Sequence, residues 1–380
     1  MTRNLGRRGR PTPSGAPDIP REIFMRALFA AACLTVTLAA RATSAADRPD
    51  DLAADMARLL AETKVPGVSI AEIRKGRVVR LAAYGEQSAG VPATPASLYN
   101  IASLTKPISA EVILRLASQG KLALDEPMSP TWLDPDLAGD PRASQLTARL
   151  ALSHRTGFPN WRPRHGQLTF VRDPGQWGYS GEGYQYVARF AETRTGEGLE
   201  PLAQRLVFKP AGMTETAYTG RPWFEGRIAL PVSAAGDVLK PTIVKTAIAA
   251  DLVYTTPADY ARFMLQVMRD AHLSPAIAAQ RRTVQTDLRA AWCKDLTSPK
   301  CPDTIGMALG WEVITFGKRT YLTHDGSDDG VRTFAYLSPT QKTGVVIFTN
   351  SDNGRKLYLP ILERLGLDPE FVTYFRDEAK

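Results

Sequence analysis

Ser103 and Lys106 form the pair in this chain whose types and spacing best suit catalytic chemistry. They lie in the stretch Asn100 to Pro107, and apolar residues recur at helical spacing from Ile108 to Ser118. A helix that begins near Ser103 places both side chains on one face. A serine hydroxyl needs an adjacent base to act as a nucleophile, and lysine is such a base when its pKa is lowered. The spacing predicts a Ser103 nucleophile, with the helix N-terminus stabilising an oxyanion.

A Ser-x-x-Lys spacing alone also marks capped or solvated helix starts that carry no chemistry, so other stretches matter. The second candidate is Tyr179-Ser180-Gly181. A tyrosine beside Ser103 and Lys106 could relay a proton to the leaving group, as phenolate or phenol, provided that the ammonium group lowers its pKa. The alternative is a turn with aromatic packing, in which Ser180 and Gly181 are only turn residues.

The third candidate is His324-Asp325-Gly326-Ser327, placed after a predicted strand. His324 could bind or polarise a substrate, and Gly326 would let the backbone approach that substrate closely. The N–H group of Ser327 would pair with that of Ser103 as an oxyanion hole. The alternative is a histidine at a strand end that is only structural.

The elements that position these residues follow from hydrophobic periodicity. Helices are predicted over residues 50–62, 108–118, 146–153, 183–195, 201–208, 257–270 and 355–365. Strands are predicted over residues 67–73, 77–83, 309–314, 319–323, 332–337 and 344–349. This order predicts an α/β protein of the α+β type. One mostly antiparallel sheet is formed by both chain ends and flanked by helices, with an inserted helical lobe.

The predicted organisation is a leader over residues 1–46 and one domain over residues 47–380. Within that domain, the sheet lobe spans about 47–125 and 301–380, and the helical lobe spans about 126–300. A chain of 380 residues that is 44% hydrophobic and 23% charged has the composition of a globular protein with a large core.

The leader has the pattern of a secretory signal peptide. Fourteen mostly apolar residues, 27–40, follow Arg21 and Arg26 and precede small residues. A helix that crosses a membrane needs about 20 apolar residues, so this segment is too short to be one. We expect cleavage after Ala45 or Ala46 and a periplasmic or secreted protein. The alternative is an uncleaved amphiphilic anchor. The sequence does not decide between Met1 and Met25 as the first residue, because a signal peptide that begins at Met25 would also have this pattern.

The charges, cysteines and histidines of the chain argue against a nucleic-acid-binding site and a metal site. The formal charge is +8, but the leader carries +5 of it, so the basic balance does not indicate nucleic-acid binding. Cys293 and Cys301 flank a short polar loop, and in an exported protein such a pair predicts a disulfide. We expect no metal, because no ligand-type spacing links the four histidines, which are His154, His165, His272 and His324.

Taken together, the three stretches resemble the signature of the serine β-lactamase and penicillin-binding superfamily. The similar branch contains class C β-lactamases, DD-peptidases, D-aminopeptidases and related esterases. Ser103-Leu104-Thr105-Lys106 matches the family's SxxK motif, Tyr179-Ser180-Gly181 lies at its YxN, and His324-Asp325-Gly326 lies at its KTG or HxG. The resemblance runs from about Val65 to Asn350, and supporting similarity lies in residues 120–125, 152–161 and 251–263.

The resemblance implies a β-lactamase/transpeptidase-like fold and roles for the site residues. Ser103 is then the acylated nucleophile, and Lys106 and Tyr179 transfer protons. The N–H groups of Ser103 and Ser327 form the oxyanion hole, and His324, Gly326 and Gly181 lie where the substrate binds.

Two departures from the family pattern reduce β-lactam recognition. Gly181 offers no side-chain amide to a β-lactam where class C enzymes have asparagine. His324 replaces a lysine and is mostly neutral at pH 7, so its attraction to a carboxylate is weaker and switchable. We therefore expect poor β-lactamase activity from an otherwise complete nucleophilic site.

The sequence thus predicts an exported serine hydrolase that acts through a Ser103 acyl-enzyme on an ester or amide. A second hypothesis is a β-lactamase or DD-carboxypeptidase/penicillin-binding protein, and a third is a non-catalytic receptor for peptidoglycan or β-lactams. The expected partner is a small-molecule or peptide-like substrate. We expect no cofactor, no nucleic acid and no metal, and take a monomer as the working state.

Overall fold

Strands from both ends of the chain meet in one large sheet. The computed structural model describes residues 51–163, 165–293 and 295–378. Its strands are β1 (Gly67–Arg74), β2 (Arg77–Ser88), β3 (Val91–Pro92), β4 (Tyr99–Asn100), β5 (Tyr254–Thr255), β6 (Thr286–Asp287), β7 (Thr304–Met307), β8 (Glu312–Phe316), β9 (Arg319–Asp328), β10 (Val331–Ser338) and β11 (Thr343–Thr349).

Nine of these strands form an antiparallel sheet in the order β3-β2-β1-β11-β10-β9-β8-β7-β6. The N-terminal hairpin β1–β2 joins the C-terminal strands because β1 pairs with β11, with Ile70 opposite Ile347. Strands β4 and β5 form a separate two-stranded ladder. The predicted α/β class, with a sheet built by both chain ends and flanked by helices, is confirmed.

Both faces of the central strands are buried. Along β11, Val345 and Ile347 contact one hydrophobic cluster, whereas Val346 and Phe348 contact another. Successive side chains of a strand point to opposite faces, so a strand covered on both sides is apolar throughout. The N- and C-terminal helices cover one face, and the helices between the two groups of strands cover the other.

Helices lie between the two groups of strands and at both ends of the domain. They are α1 (Asp51–Thr63), α2 (Thr105–Ser118), α3 (Ala148–Leu152), α4 (Gly181–Thr195), α5 (Leu199–Ala203), α6 (Lys209–Ala211), α7 (Pro257–Met268), α8 (Pro275–Arg282), α9 (Arg289–Trp292), α10 (Tyr358–Leu365) and α11 (Pro369–Glu378). A π-helix at Gln204–Phe208 joins α5 to α6, and 3₁₀ turns lie at Ala102–Leu104, Pro135–Leu137, Pro141–Gln145, Pro222–Phe224 and Gly354–Leu357.

Helix α2 lies in the centre of the domain. Every residue from Thr105 to Leu116 is buried, including the ionisable side chains of Lys106, Glu111 and Arg115. A helix that is buried all round belongs to the interior of a protein. The candidate base Lys106 is therefore held in the core.

The structure differs from the sequence prediction in several elements. Residues 309–311 are buried in a turn that packs on α2 at Gly310, so β8 begins at Glu312 and not at Leu309. Residues 324–327 lie inside β9 and do not follow a strand. Helix α10 is not the last helix, because α11 follows it, and strands β3 to β7 were not predicted. The lobe boundaries near 125 and 301 stay a prediction.

The predicted disulfide is present between Cys293 and Cys301, whose Cα atoms lie 5.9 Å apart. It closes a short loop between α9 and β7, at one edge of the sheet. In the described ranges, no helix is long and apolar enough to cross a membrane. The predicted signal peptide lies outside these ranges.

Candidate active site

The backbone turns sharply immediately before Ser103. Ala102 has a φ of 47°, a left-handed conformation that a residue with a Cβ rarely adopts. The Ala102 N–H group donates to Asn100 Oδ1 at 2.9 Å, and Asn100 is itself held by the β4–β5 ladder. This anchored turn leads into the 3₁₀ turn that contains Ser103, from which α2 continues.

Lys106 is fully buried and contacts the candidate nucleophile. Its Nζ atom donates to Ser103 Oγ at 2.9 Å and to the carbonyl oxygen of Ala250 at 2.9 Å. Burial lowers the pKa of Lys106 to about 8, although the charges of Asp251 and Asp325 act in the opposite direction. The neutral amine is thus accessible near neutral pH, as a general base requires.

Tyr179 lies beside the same pair. Its ring centroid is 4.8 Å from Lys106 Nζ, and its side chain makes a hydrogen bond with Ser103. Burial raises the pKa of Tyr179 above its ordinary value in spite of that hydrogen bond, and the charges of Asp325 and Asp251 raise it further. The raised pKa favours the phenol over the phenolate near neutral pH, and the part of Tyr179 in proton transfer stays a prediction.

The His154 ring packs against the Tyr179 ring. The two rings stack with centroids 4.2 Å apart, and the Ser180 N–H group donates to His154 Nδ1 at 3.0 Å. Burial lowers the pKa of His154 well below its ordinary value, and the nearby Lys106 charge adds to this effect. His154 is therefore a neutral positioning residue. The sequence analysis gave His154 no role at the site, because its contact with Tyr179 is tertiary.

Strand β9 brings the third stretch to the site. Its pairing with β8 ends at Thr323, whereas its pairing with β10 continues to Asp328. The remaining edge of β9 lies against the turn before Ser103, and a Cβ atom on Gly326 would be 2.4 Å from the carbonyl oxygen of Ile101. A glycine is therefore needed at position 326 so that β9 can approach the turn before Ser103 closely. The sequence analysis had expected a glycine here for a different purpose, which was close approach of the backbone to the substrate.

His324 and Ser327 lie along this part of β9. The His324 ring centroid is 6.3 Å from that of Tyr179, and its Nδ1 atom contacts the Asp325 carbonyl oxygen at 2.6 Å. Burial lowers the pKa of His324 to about 4, and Lys106 contributes. His324 is neutral at pH 7, as expected, but its charge does not switch near neutrality. Ser327 is exposed on β9, and its role in an oxyanion hole stays a prediction.

Gly181 is the first residue of α4, and Ser180 caps this helix by accepting from the Gly183 N–H group at 3.0 Å. The Gly181 N–H group donates to both the carbonyl and the Oδ1 of Asn160. A Cβ atom on Gly181 would lie 2.9 Å from the Trp161 indole. Trp161 thus fills the space that a side chain at position 181 would need.

Two carboxylates, those of Asp251 and Asp328, lie near the site. Asp251 follows Ala250, the residue that accepts from Lys106, and Asp328 accepts from the Asn100 side chain at 2.8 Å. Burial raises the pKa of Asp251 to about 6, and the charge of Asp328 adds to it. Sequence reasoning did not identify these two groups, because residues 100, 251 and 328 meet only in the fold.

The structure therefore brings Ser103, Lys106 and Tyr179 into direct contact and places His324, Gly326 and Gly181 around them. This arrangement can activate a hydroxyl and pass its proton to a leaving group. Among the described residues, no group of histidine, cysteine and acidic side chains could hold a metal ion.

Comparison with known proteins identifies a family model, two relatives and a solved structure that this chain matches. The beta-lactamase family model matches residues 52–366. The chain is similar to the D-alanyl-D-alanine-carboxypeptidase/endopeptidase AmpH of Escherichia coli K12, with 25% identity over 364 residues that cover 87% of this chain and 92% of AmpH. It is also similar to esterase EstB of Burkholderia gladioli, with 28% identity over 194 residues that cover 42% of this chain and 48% of EstB.

A solved structure of this family has a similar fold. The class C beta-lactamase from Rhodobacter sphaeroides matches with a TM-score of 0.65 and 18% identity, over 82% of this chain and 99% of that chain. At this identity the likeness concerns the fold alone.

Proposed function

Since the chain belongs to the beta-lactamase family, we propose that it is a serine hydrolase that forms an acyl-enzyme on Ser103 and cleaves an ester or amide of a peptide-like substrate. The observation that carries this proposal is the 2.9 Å contact between Ser103 Oγ and the Nζ atom of a fully buried lysine. A buried amine with a lowered pKa is available to accept the hydroxyl proton at neutral pH.

Acylation begins when neutral Lys106 accepts the Ser103 proton as Oγ bonds to the substrate carbonyl carbon. The tetrahedral intermediate then collapses, and the bond from the carbonyl carbon to the leaving group breaks. The Tyr179 phenol donates its proton to the leaving group and regains one from the Lys106 ammonium. Water then attacks the acyl-enzyme, which releases the acid and restores the Ser103 hydroxyl.

Efficient β-lactam hydrolysis is not part of the proposal. Gly181 has no side-chain amide, and Trp161 occupies the space where that amide would lie. His324 is neutral at pH 7, so it offers no charge to the carboxylate of a β-lactam. A site can keep its nucleophile and lose a substrate when the groups that recognise this substrate are absent.

A D-alanyl-D-alanine peptidase is the second candidate, supported by the similarity to AmpH over 92% of that protein. The proposed esterase activity is supported instead by EstB, of which the match covers about half. Export is part of the proposal as well: the Cys293–Cys301 disulfide is typical of an oxidising compartment.

Steady-state kinetics on the purified protein test the proposal. We expect turnover of p-nitrophenyl acetate and of a short peptide amide, but at most slow turnover of a penicillin. Ser103→Ala should abolish turnover, and Lys106→Ala should lower kcat at least 1000-fold. Ser144→Ala is the matched control, because Ser144 is an exposed serine whose hydroxyl donates to the nearby Pro141 carbonyl oxygen. Full activity in Ser103→Ala would contradict the proposal.

A further inference from the structure

A cavity of about 300 Å³ lies on the face of the sheet that the N- and C-terminal helices cover. Its wall is formed by α9, the start of α10, α11 and strands β8, β9 and β10. Ser103, Lys106 and Tyr179 do not line it, whereas His324 on β9 does. The cavity is therefore separate from the nucleophile, and β9 lies between the two.

Aromatic side chains make up much of the cavity wall. Helix α11 contributes residues 371, 374 and 375, whose spacing places them on one face of the helix. The Phe334 ring centroid on β10 is 5.2 Å from that of Tyr358 and 5.1 Å from that of Phe375. The faces of aromatic rings carry negative potential and attract cations. The aromatic residues of the wall are Trp292, Phe334, Tyr358, Phe371, Tyr374 and Phe375.

Carboxylates outnumber basic groups in the described part of the wall. Glu312 on β8 and Asp325 on β9 are acidic, and Arg355 in the 3₁₀ turn before α10 is basic. His324 adds no charge at pH 7, because burial lowers its pKa to about 4. The excess of negative charge and the ring faces together favour a ligand with a positive charge.

The Tyr358 hydroxyl is a polar group that a ligand could satisfy. Tyr358 is 2% exposed, and no described residue makes a hydrogen bond with its hydroxyl group. A buried hydroxyl without a partner costs free energy. A phenol oxygen accepts a hydrogen bond, which a primary ammonium group donates and a quaternary one does not.

We propose that this cavity is a second binding site, which takes a primary ammonium ion with an apolar body such as a phenylethyl group. The aromatic wall holds the apolar body, the carboxylates of Glu312 and Asp325 attract the charge, and Tyr358 accepts a hydrogen bond from the ammonium group. The inference goes beyond the proposed function, since binding here requires no reaction at Ser103.

Strand β9 couples this cavity to the nucleophile. The charges of Asp325 and Asp251 both raise the pKa of Lys106, and of these two carboxylates only Asp325 lines the cavity. A cation beside Asp325 offsets its charge, so saturating ligand should move the rise of kcat/KM with pH to lower pH. This consequence rests on the proposed function. An unchanged profile, or a shift to higher pH, would overturn the coupling.

Calorimetric titration of Ser103→Ala protein at pH 7 tests the binding site without turnover. We expect saturable binding of 2-phenylethylammonium that is at least about fivefold tighter than that of 2-phenylethanol, its uncharged analogue, or of phenylacetate, an anion. No binding of the ammonium ion, or equal binding of either analogue, would overturn the inference even if esters are hydrolysed at Ser103.

Charge substitutions in the same background locate the bound ion. Asp325→Asn should weaken the binding of 2-phenylethylammonium about threefold or more, and Arg355→Gln should tighten it, because Arg355 opposes the charge of the ligand. Both side chains are exposed, so both variants should fold. Asp329→Asn is the matched control, since Asp329 is an exposed aspartate beyond β9 that does not line the cavity. Unchanged affinity in both Asp325→Asn and Arg355→Gln would overturn the inference.

Discussion

At the scale of single residues, the site depends on how burial shifts proton affinities. Lys106, Tyr179 and His324 lie within one small region, and burial moves each of their pKa values towards the neutral form. A serine between a neutral amine and a neutral phenol has both an acceptor for its proton and a donor for the leaving group. Burial in the core, more than any single contact, therefore prepares the nucleophile.

The pH dependence of kcat/KM should report the pKa of Lys106. Below its pKa of about 8 the amine is protonated and cannot accept a proton, so kcat/KM should rise with pH and level off above about 8. Asp251→Asn removes a charge that stabilises the ammonium, so the rise should move to lower pH. Asp295→Asn, in the exposed disulfide loop, should leave the profile in place. A shift to higher pH in Asp251→Asn would contradict this assignment.

The contact between Gly181 and Trp161 should appear as coupling between two substitutions. Gly181→Ala places a methyl group 2.9 Å from the indole, and overpacking of this kind destabilises a protein by about 1–3 kcal/mol. Trp161→Ala removes the indole but leaves the Asn160 carbonyl oxygen 3.0 Å from the same position, so Gly181→Ala should cost less stability in the Trp161→Ala background than in the wild type. Urea unfolding of the two single variants and the double variant measures the coupling. Additive effects would show that the two residues do not compete for space.

At the scale of elements, α2 carries both the base and a buried ionic cluster. Glu111 contacts Arg281 at 2.6 Å and Arg115 at 3.5 Å, and all three side chains are fully buried. Arg281 on α8 also donates to the Val267 carbonyl oxygen at the end of α7. The cluster therefore connects the helix that presents Lys106 to two neighbouring helices.

Removal of the shared carboxylate should weaken this connection strongly. Glu111→Ala removes the carboxylate that Arg115 and Arg281 share, although Arg281 keeps its ion pair with Asp270, and breaking a buried pair costs about 3–5 kcal/mol. Chemical denaturation should show this drop in the free energy of unfolding. Glu62→Ala on α1 provides the comparison, because Glu62 pairs with Arg58 at the surface and its loss should have a much smaller effect. Equal effects of the two substitutions would contradict the role of the cluster.

At the scale of the whole molecule, the sequence predicted the sheet better than the site. Apolar runs at both chain ends identified the strands that became β1, β9, β10 and β11, because strands buried on both faces are apolar throughout. The shared motif then placed Ser103 and Lys106, and comparison with known proteins confirmed the resemblance to the superfamily.

The remaining features were not predictable for physical reasons. Strand β6 has two residues, too few for a periodicity, and α11 was missed although Pro369 lies at its first position. His154 and Trp161 act on residues 179 and 181 through tertiary contacts. The pKa of Tyr179 rises because of burial, which no spacing of residues reveals.

We expect the disulfide to stabilise the folded domain and to have no part in catalysis. It links residues eight positions apart, and a loop of this length stabilises a folded chain by about 2–3 kcal/mol. The double variant Cys293→Ser/Cys301→Ser should therefore melt at a lower temperature and keep its kcat at 25 °C. A large loss of kcat without a change in melting temperature would contradict this separation.

The central claim is that Ser103 is acylated, and intact-mass spectrometry tests it most directly. The purified wild type should gain the mass of one phosphonyl group when it is treated with a fluorophosphonate, and peptide mapping should place this group on Ser103. Ser103→Ala should gain no mass, and Ser144→Ala should react like the wild type. A folded wild-type protein that takes up no reagent at Ser103 would contradict the account.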